Sequence, residues 1–358
     1  MLFHLPSQSM KLSSFFWVPF CLLGDQAVIA APKPILVKVV VVAMFEQGKD
    51  TGDQPGELQY WVERDHLDRV YPLPAGYHAV RMNADGEMAV LTGQGTAHAA
   101  STIMAIGLDP RFDLSHAYWL IAGIAGGSPD RISLASAAWA RWVVDADLGY
   151  EIDAREIPPD WTTGFIPMRK TKPFEQPPAP LDGQSYSVNA DLANWAWNLT
   201  RNISLAESDR LKDARSHFDG AAAQQPPSVI LGDEISSSTF WHGKLFDAWA
   251  AEWMRYFTGG QGQFATTAME DTGTLQSLRG LANAGRVDWN RILVLRTVSN
   301  FDQQPRGMSA SESLARQKIG SYSAYLPSLE SAYSVGHVVV QELLTNWSKY
   351  RSGMQRSK

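Results

Sequence analysis

Between Ile35 and Met44 the chain reads Ile-Leu-Val-Lys-Val-Val-Val-Val-Ala-Met, a nearly unbroken β-branched run. A strand with one wet face alternates apolar and polar residues; a run without alternation predicts a central strand covered on both faces. It leads into a polar, Gly-rich loop, Phe45 to Gly56. Met88-Ala89-Val90-Leu91-Thr92 then reads as a short strand ending in Gly93-Gln94-Gly95, with a helical stretch from Thr96 to Ala105. Tyr118-Trp119-Leu120-Ile121-Ala122 is a further strand, expected to stop at the turn Gly123-Ile124-Ala125-Gly126-Gly127-Ser128-Pro129. Strand, glycine turn, helix and strand in succession define an α/β fold.

With 358 residues, 45% apolar and 19% charged, the chain suits one large domain or two ordinary ones, each able to bury a core. Its formal charge is 31 − 37 = −6, with no block of Lys and Arg. That argues against a nucleic-acid binder, whose affinity comes largely from phosphate neutralisation. The 13 Trp point to aromatic packing or ring stacking.

The N-terminus reads as an address. Met1 to Lys11 precedes the apolar run Phe15 to Leu23, and Ala27-Val28-Ile29-Ala30-Ala31-Pro32 offers small residues for cleavage. Residues 1–31 are therefore expected to be a cleavable signal peptide on a secreted or cell-surface protein, with residues 32–358 as the folded domain. The apolar stretch is too short to span a bilayer comfortably, and no later segment is apolar for long enough. The single cysteine, Cys21, lies within the signal, so the mature chain has neither disulfide framework nor thiolate chemistry. Sequons at Asn198, Asn202 and Asn346 fit export as a glycoprotein.

Nine of the 20 prolines fall between Ala154 and Pro227. This stretch reads as a long insertion with one helix (roughly Val188 to Arg201), laid on the surface or over a site. Regular signals resume with a strand at Ser228 to Leu231, helices at Gly243 to Tyr256 and Thr274 to Ala284, and a strand at Arg291 to Val298. A long helix from Leu326 to Tyr350 closes the chain.

Glycine-rich strand-to-helix turns set backbone N–H groups and a helix N-terminus at the carboxyl edge of a sheet. Two of them, at Gly93-Gln94-Gly95 and around Gly123-Ile124-Ala125, predict a pocket there. Neither has dinucleotide spacing, and the chain carries no P-loop lysine, GxSxG elbow or HExxH. The His residues are scattered, so no metal site is indicated. Met269-Glu270 puts a carboxylate beside a soft apolar side chain at a helix start, and Ser299-Asn300 ends a buried strand with a polar amide.

Read in order, six segments resemble the purine nucleoside phosphorylase/nucleosidase superfamily, and within it the purine nucleoside permease (NUP) family. They are Gly123 to Asp130, Trp139 to Asp145, Gly232-Asp233, Phe240-Trp241-His242-Gly243, Ala268 to Gly273 and Arg296 to Phe301. The likeness runs from Ile35 to about Tyr350. It implies a nucleoside phosphorylase-like three-layer α/β/α fold with a central mixed sheet, in which residues 154–227 are a Pro-rich insertion.

The resemblance implies that Met269 and Glu270 hold the ribose, the carboxylate stabilising an oxocarbenium-like sugar. Phe240 or Trp241 would stack on the base, with Ser299 and Asn300 at its edge. Where related enzymes often carry Asp, this chain has Asn300, an amide that hydrogen-bonds N7 but delivers no proton as an acid does. At the positions of the superfamily's phosphate-binding groups stand Ile121, Ile124 and, near the first loop's arginine, Glu57, which leaves little for a phosphate dianion. Hydrolysis is the favoured expectation, with water activated by Glu46, one residue out of register, by Glu57 or by Asp53. The resemblance thus implies a secreted purine nucleosidase releasing base and ribose, with no metal or organic cofactor and with a homo-oligomer as its assembly. The alternatives are a phosphorylase, or a nucleoside-binding protein that aids uptake.

Overall fold

A computed structural model describes residues 32–179 and 181–354; the signal-like segment and Cys21 lie outside the described residues. All elements below belong to the unit that starts at Pro34. The strands at its centre are β1 (Val39–Ala43), β2 (Glu87–Leu91), β3 (Tyr118–Gly127), β4 (Ala137–Ala140), β5 (Trp142–Asp145), β6 (Val229–Leu231), β7 (Asp233–Ser236), β8 (Phe264–Ala268) and β9 (Ile292–Phe301). The helices that matter for the site are α1 (Gln59–Arg64), α2 (Thr96–Leu108), α3 (Ala190–Thr200), α4 (Lys244–Phe257), α5 (Asp271–Asn283) and α6 (Tyr325–Thr345).

The sheet is mixed. From one edge its order is Ser185–Ser187, β5, β7, β8, β3, β1, β2, Val80–Met82 and Arg69–Tyr71. Off this path β9 pairs with β3 and β4, and β6 pairs with β4. The β-branched run sits as its composition requires, with every residue of β1 buried. Alternate side chains serve opposite faces. Val40, Val42, Trp119 and Ile121 pack with Ile103 and Ile106 of α2 and Leu275 and Leu278 of α5. Val39, Val41, Tyr118 and Leu120 pack with Trp61 of α1, Leu192 of α3 and Val335 and Val339 of α6. Helices on both faces of one sheet make the three-layer α/β/α arrangement.

The elements depart from the sequence expectation in four places. The run from Ile35 splits, because Ile35–Leu36 pairs with Phe112–Asp113 before β1 begins. The turn expected at Gly123 is absent, since β3 continues to Gly127. Its glycines serve close packing: a Cβ on Gly123 would lie 2.5 Å from both Arg296 Nη1 and Glu57 Oε1, and one on Gly127 2.7 Å from Val298. The Pro-rich stretch, residues 154–227, holds two helices, α3 and Asp209–Ser216, rather than one. It also supplies Phe165–Pro167, which pairs with Gly149–Glu151, and the edge strand Ser185–Ser187. The closing helix stops at Thr345, and a short turn of helix, Trp347–Tyr350, follows Asn346.

Helices α2 and α5 lie so close that Gly273 has no room for a side chain; a Cβ there would come within 2.1 Å of the Thr96 carbonyl oxygen. Backbone cannot yield as a flexible side chain does. Gly273→Ala is expected to destabilise the fold by about 1–3 kcal/mol, the usual cost of overpacking. A thermal melt unchanged from wild type would show that the two helices separate freely.

Candidate active site

The carboxyl ends of the central strands surround a cleft whose wall includes Met44, Glu57, Met269, Glu270 and Asn300. Its position follows from the pairing of β3. One edge of β3 pairs with β1 at Tyr118 to Ile121 and with β8 only at Gly126 and Gly127. Between these pairings, Ala122 to Ala125 are tied to β9 alone. Glu57 fills the gap: its Oε1 accepts from Ile124 N–H at 2.6 Å and its Oε2 from Met44 N–H at 2.7 Å. It thereby links the end of β1 to the middle of β3. Burial pushes its pKa up to about 8; the Arg296 charge opposes this and the Glu270 charge adds to it.

Glu270 stands opposite, at the start of α5, and is buried. Its Oε1 accepts from Gly95 N–H at 3.1 Å and its Oε2 from Met269 N–H at 3.2 Å. The Gly93-Gln94-Gly95 segment is a true turn, with φ of 82° and 88° at the glycines, a region that favours glycine. It delivers the Gly95 N–H to Glu270 and puts Gln94 in the cleft wall. Burial raises the Glu270 pKa, with Arg296 holding it down.

Arg296, on β9, organises this charge and is 1% exposed. It donates through Nε to Asp271 Oδ2 at 3.0 Å and through Nη2 to Asp271 Oδ1. Glu234 and Glu270 lie at 3.4 and 3.5 Å. Burial works against its charge, but the three acids keep it firmly protonated. Its Nη1 donates to the Ile124 carbonyl at 3.2 Å, and it is not in the cleft wall. Glu234 is pushed well above the usual carboxylate range by burial and by the Asp271 charge.

The cleft collects most residues singled out from the sequence: Glu57, Gln94, Ile124, Ala125, Phe240, Trp241, Met269, Glu270, Ser299 and Asn300. Phe240 is 42% exposed, whereas Trp241 packs into an aromatic cluster with Phe246, Trp249 and Phe264. Asn300 Oδ1 accepts from Ser299 Oγ at 2.8 Å. Glu46 is not in the wall. Its oxygens accept from the N–H groups of Gln47, Gly56, Leu58 and Gln59, so it ties the loop to the start of α1. Asp53 is exposed on that loop and accepts from Lys49 N–H. Gly93, Gly95 and Gly123, expected at the pocket from the sequence, are not in its wall. Sequence reasoning missed Asp302, Thr239, Ile319 and Tyr322, which also line the cleft, and the role of Arg296 with Asp271. Only Asp302 offered a signal, an acid two positions beyond Asn300. Among the described residues the wall holds three carboxyl groups and no Lys, Arg or His. It can hydrogen-bond hydroxyl and ring-nitrogen groups, and among the described residues it has no cationic side chain with which to pair an anion.

The fold is that of nucleoside phosphorylases and nucleosidases. The structure resembles the 5′-methylthioadenosine/S-adenosylhomocysteine nucleosidase of Neisseria meningitidis, with TM-score 0.50, 15% identity and coverage of 86% of this chain and 99% of that one. It also resembles the futalosine hydrolase of Helicobacter pylori, with TM-score 0.51, 14% identity and coverage of 86% and 98%. At such identity the likeness is one of fold. The chain belongs to the purine nucleoside permease (NUP) family, whose model matches residues 36–355. A curated relative from Candida albicans named purine nucleoside permease is 32% identical over 325 residues, 89% of this chain and 78% of the relative. A Schizosaccharomyces pombe relative named probable purine nucleoside permease is 28% identical over 79% of this chain and 81% of its own length. No described helix is long and apolar enough to cross a membrane.

Because the folded pKa of Glu57 lies above its unfolded value, the native state binds the extra proton between roughly pH 4.5 and about 8. Its contribution to stability is complete below that window and declines as pH rises through it. Glu57→Gln is expected to flatten the decline by up to about 1.4 kcal/mol per pH unit. Denaturant titrations at several pH values check this; parallel wild-type and variant curves would place the proton elsewhere.

Proposed function

We propose that this protein is a purine nucleosidase that cleaves the N-glycosidic bond with water. The observation that carries the reading is the wall itself: three carboxyl groups, two amides, an exposed aromatic ring and no cation among the described residues. A phosphorylase must bind a phosphate dianion beside the sugar, and Arg296, the nearest buried cation, is committed to Asp271, Glu234 and Glu270. In this reading the Glu270 carboxylate holds the ribose hydroxyls and faces the positive charge that develops on the sugar. Met269 packs against the sugar. Phe240 stacks on the base, whose edge meets the Asn300 amide. Glu57 takes a proton from the attacking water, assisted by backbone donors that keep its carboxylate aimed. The signal-like N-terminus supports placing this activity outside the cytosol.

The name carried by the relatives favours a second reading, in which the same cleft holds an intact nucleoside and hands it on for uptake. Turnover separates the two. The chain is incubated with inosine, adenosine and guanosine, with and without phosphate, and the sugar product is followed. Free ribose independent of phosphate is the expected result. Ribose 1-phosphate formed only with phosphate would make the protein a phosphorylase, and saturable binding without cleavage would favour uptake.

Two further outcomes are expected. Glu270→Ala should lower kcat/KM by about 30-fold or more, the loss of one charge-assisted contact worth roughly 2–4 kcal/mol in the transition state. Activity within twofold of wild type would remove Glu270 from the site. With Glu57 raised to about 8, kcat/KM should climb with pH up to about 8, and Glu57→Gln should abolish the climb.

A further inference from the structure

Asp302 follows β9 directly, two residues past Asn300, and both line the cleft. It is 2% exposed, and neither carboxyl oxygen has a hydrogen-bond donor. Its backbone is fixed, because Asp302 N–H donates to Gly127 O at 3.0 Å and Gly243 N–H donates to Asp302 O at 2.8 Å. Facing it is the buried carboxyl of Asp247 on α4, one of whose oxygens also lacks a donor. Leaving buried acceptors unpaired is costly, and two adjacent buried carboxylates cannot both be ionised. One proton between them relieves both problems. Burial first and Asp247 second push Asp302 well above the usual carboxylate range, and the Asp130 charge adds to this. Asp247 is raised by burial and by Asp130, against Ser128, Asp302 and Arg131, which favour its charged form. Of the two, only Asp302 lines the cleft, so a proton shared by the pair can reach a bound ligand through Asp302 alone.

We propose that Asp302 is the acid that protonates the departing purine, the task that Asn300 has no proton to perform. The proposal rests on the nucleosidase reading. As the bond between C1′ and N9 breaks, its electron pair passes into the purine ring and the Asp302 proton moves to a ring nitrogen. The base leaves neutral. Water adds to C1′ and gives its proton to Glu57, which releases it to solvent; Asp302 recovers a proton from solvent after the base departs. Asp247 is a positioning residue: it keeps the proton on Asp302 at neutral pH and never touches the substrate.

A leaving group that needs no proton isolates this step. Asp302→Asn is compared with wild type on inosine and on p-nitrophenyl β-D-ribofuranoside, whose phenolate departs unaided. The expected loss is about 100-fold or more in kcat/KM on inosine, the usual worth of an acid catalyst, and less than about fivefold on the nitrophenyl riboside. Asp247→Asn removes the neighbouring charge, so the alkaline limb of the inosine profile should move to lower pH. That variant reads the proposal even where Asp302→Asn does not fold. Equal losses on both substrates, inosine activity within threefold of wild type, or an alkaline limb unmoved by Asp247→Asn would overturn the assignment. A wild-type chain that cleaves no nucleoside would overturn the nucleosidase reading itself, and this role with it.

Discussion

One guanidinium holds the site together. Arg296 reaches from the middle of β9 to Asp271 at the start of α5, with Glu234 of β7 and Glu270 within ion-pair distance and the Ile124 carbonyl accepting at 3.2 Å. A buried charge without partners would cost several kcal/mol. Here the partners belong to separate elements, so satisfying Arg296 fixes their mutual positions. The carboxylate of Glu270 owes its place to that arrangement and to the Gly95 N–H. Replacing one partner of such a cluster leaves the others unpaired, and the damage spreads beyond the group removed.

A second constraint is glycine. Gly123 yields its side-chain space to Arg296 and Glu57 together, so β3 can pass beside the charged cluster without a break. The strand stays extended where a denser sequence would have been forced to bend.

Much of the architecture was legible in the sequence, for identifiable reasons. The run through Val39 to Ala43 can be buried on both faces only in the middle of a sheet, and Gly93-Gln94-Gly95 is a turn because two positive φ values demand it. Met269-Glu270 and Ser299-Asn300 line the cleft because both end strands whose carboxyl edges face it. The misreadings are equally physical. Gly123 to Gly127 looks like punctuation, since sequence alone cannot tell a glycine chosen for its dihedral from one chosen for lack of bulk. Sequence spacing does not choose among Glu46, Asp53 and Glu57; the fold of the loop turns Glu46 onto backbone donors, leaves Asp53 exposed and puts Glu57 into the cleft. Ile319 and Tyr322 arrive from a segment far along the chain that carries no local signal. Asp302 lies past the strand end, where an acid ordinarily means solvent.

The borders of the sheet carry a different consequence. Its outer members, Ser185–Ser187, Arg69–Tyr71 and β6, are each three residues long. Unpaired backbone along a long, flat border invites a second molecule to add its own strand, and short borders give that pairing little to grip. A wide sheet finished in this way resists edge-to-edge association during handling at high concentration. Aggregation, where it occurs, is then expected to begin from partly unfolded chains that uncover β1 and β3 rather than from native molecules meeting side by side.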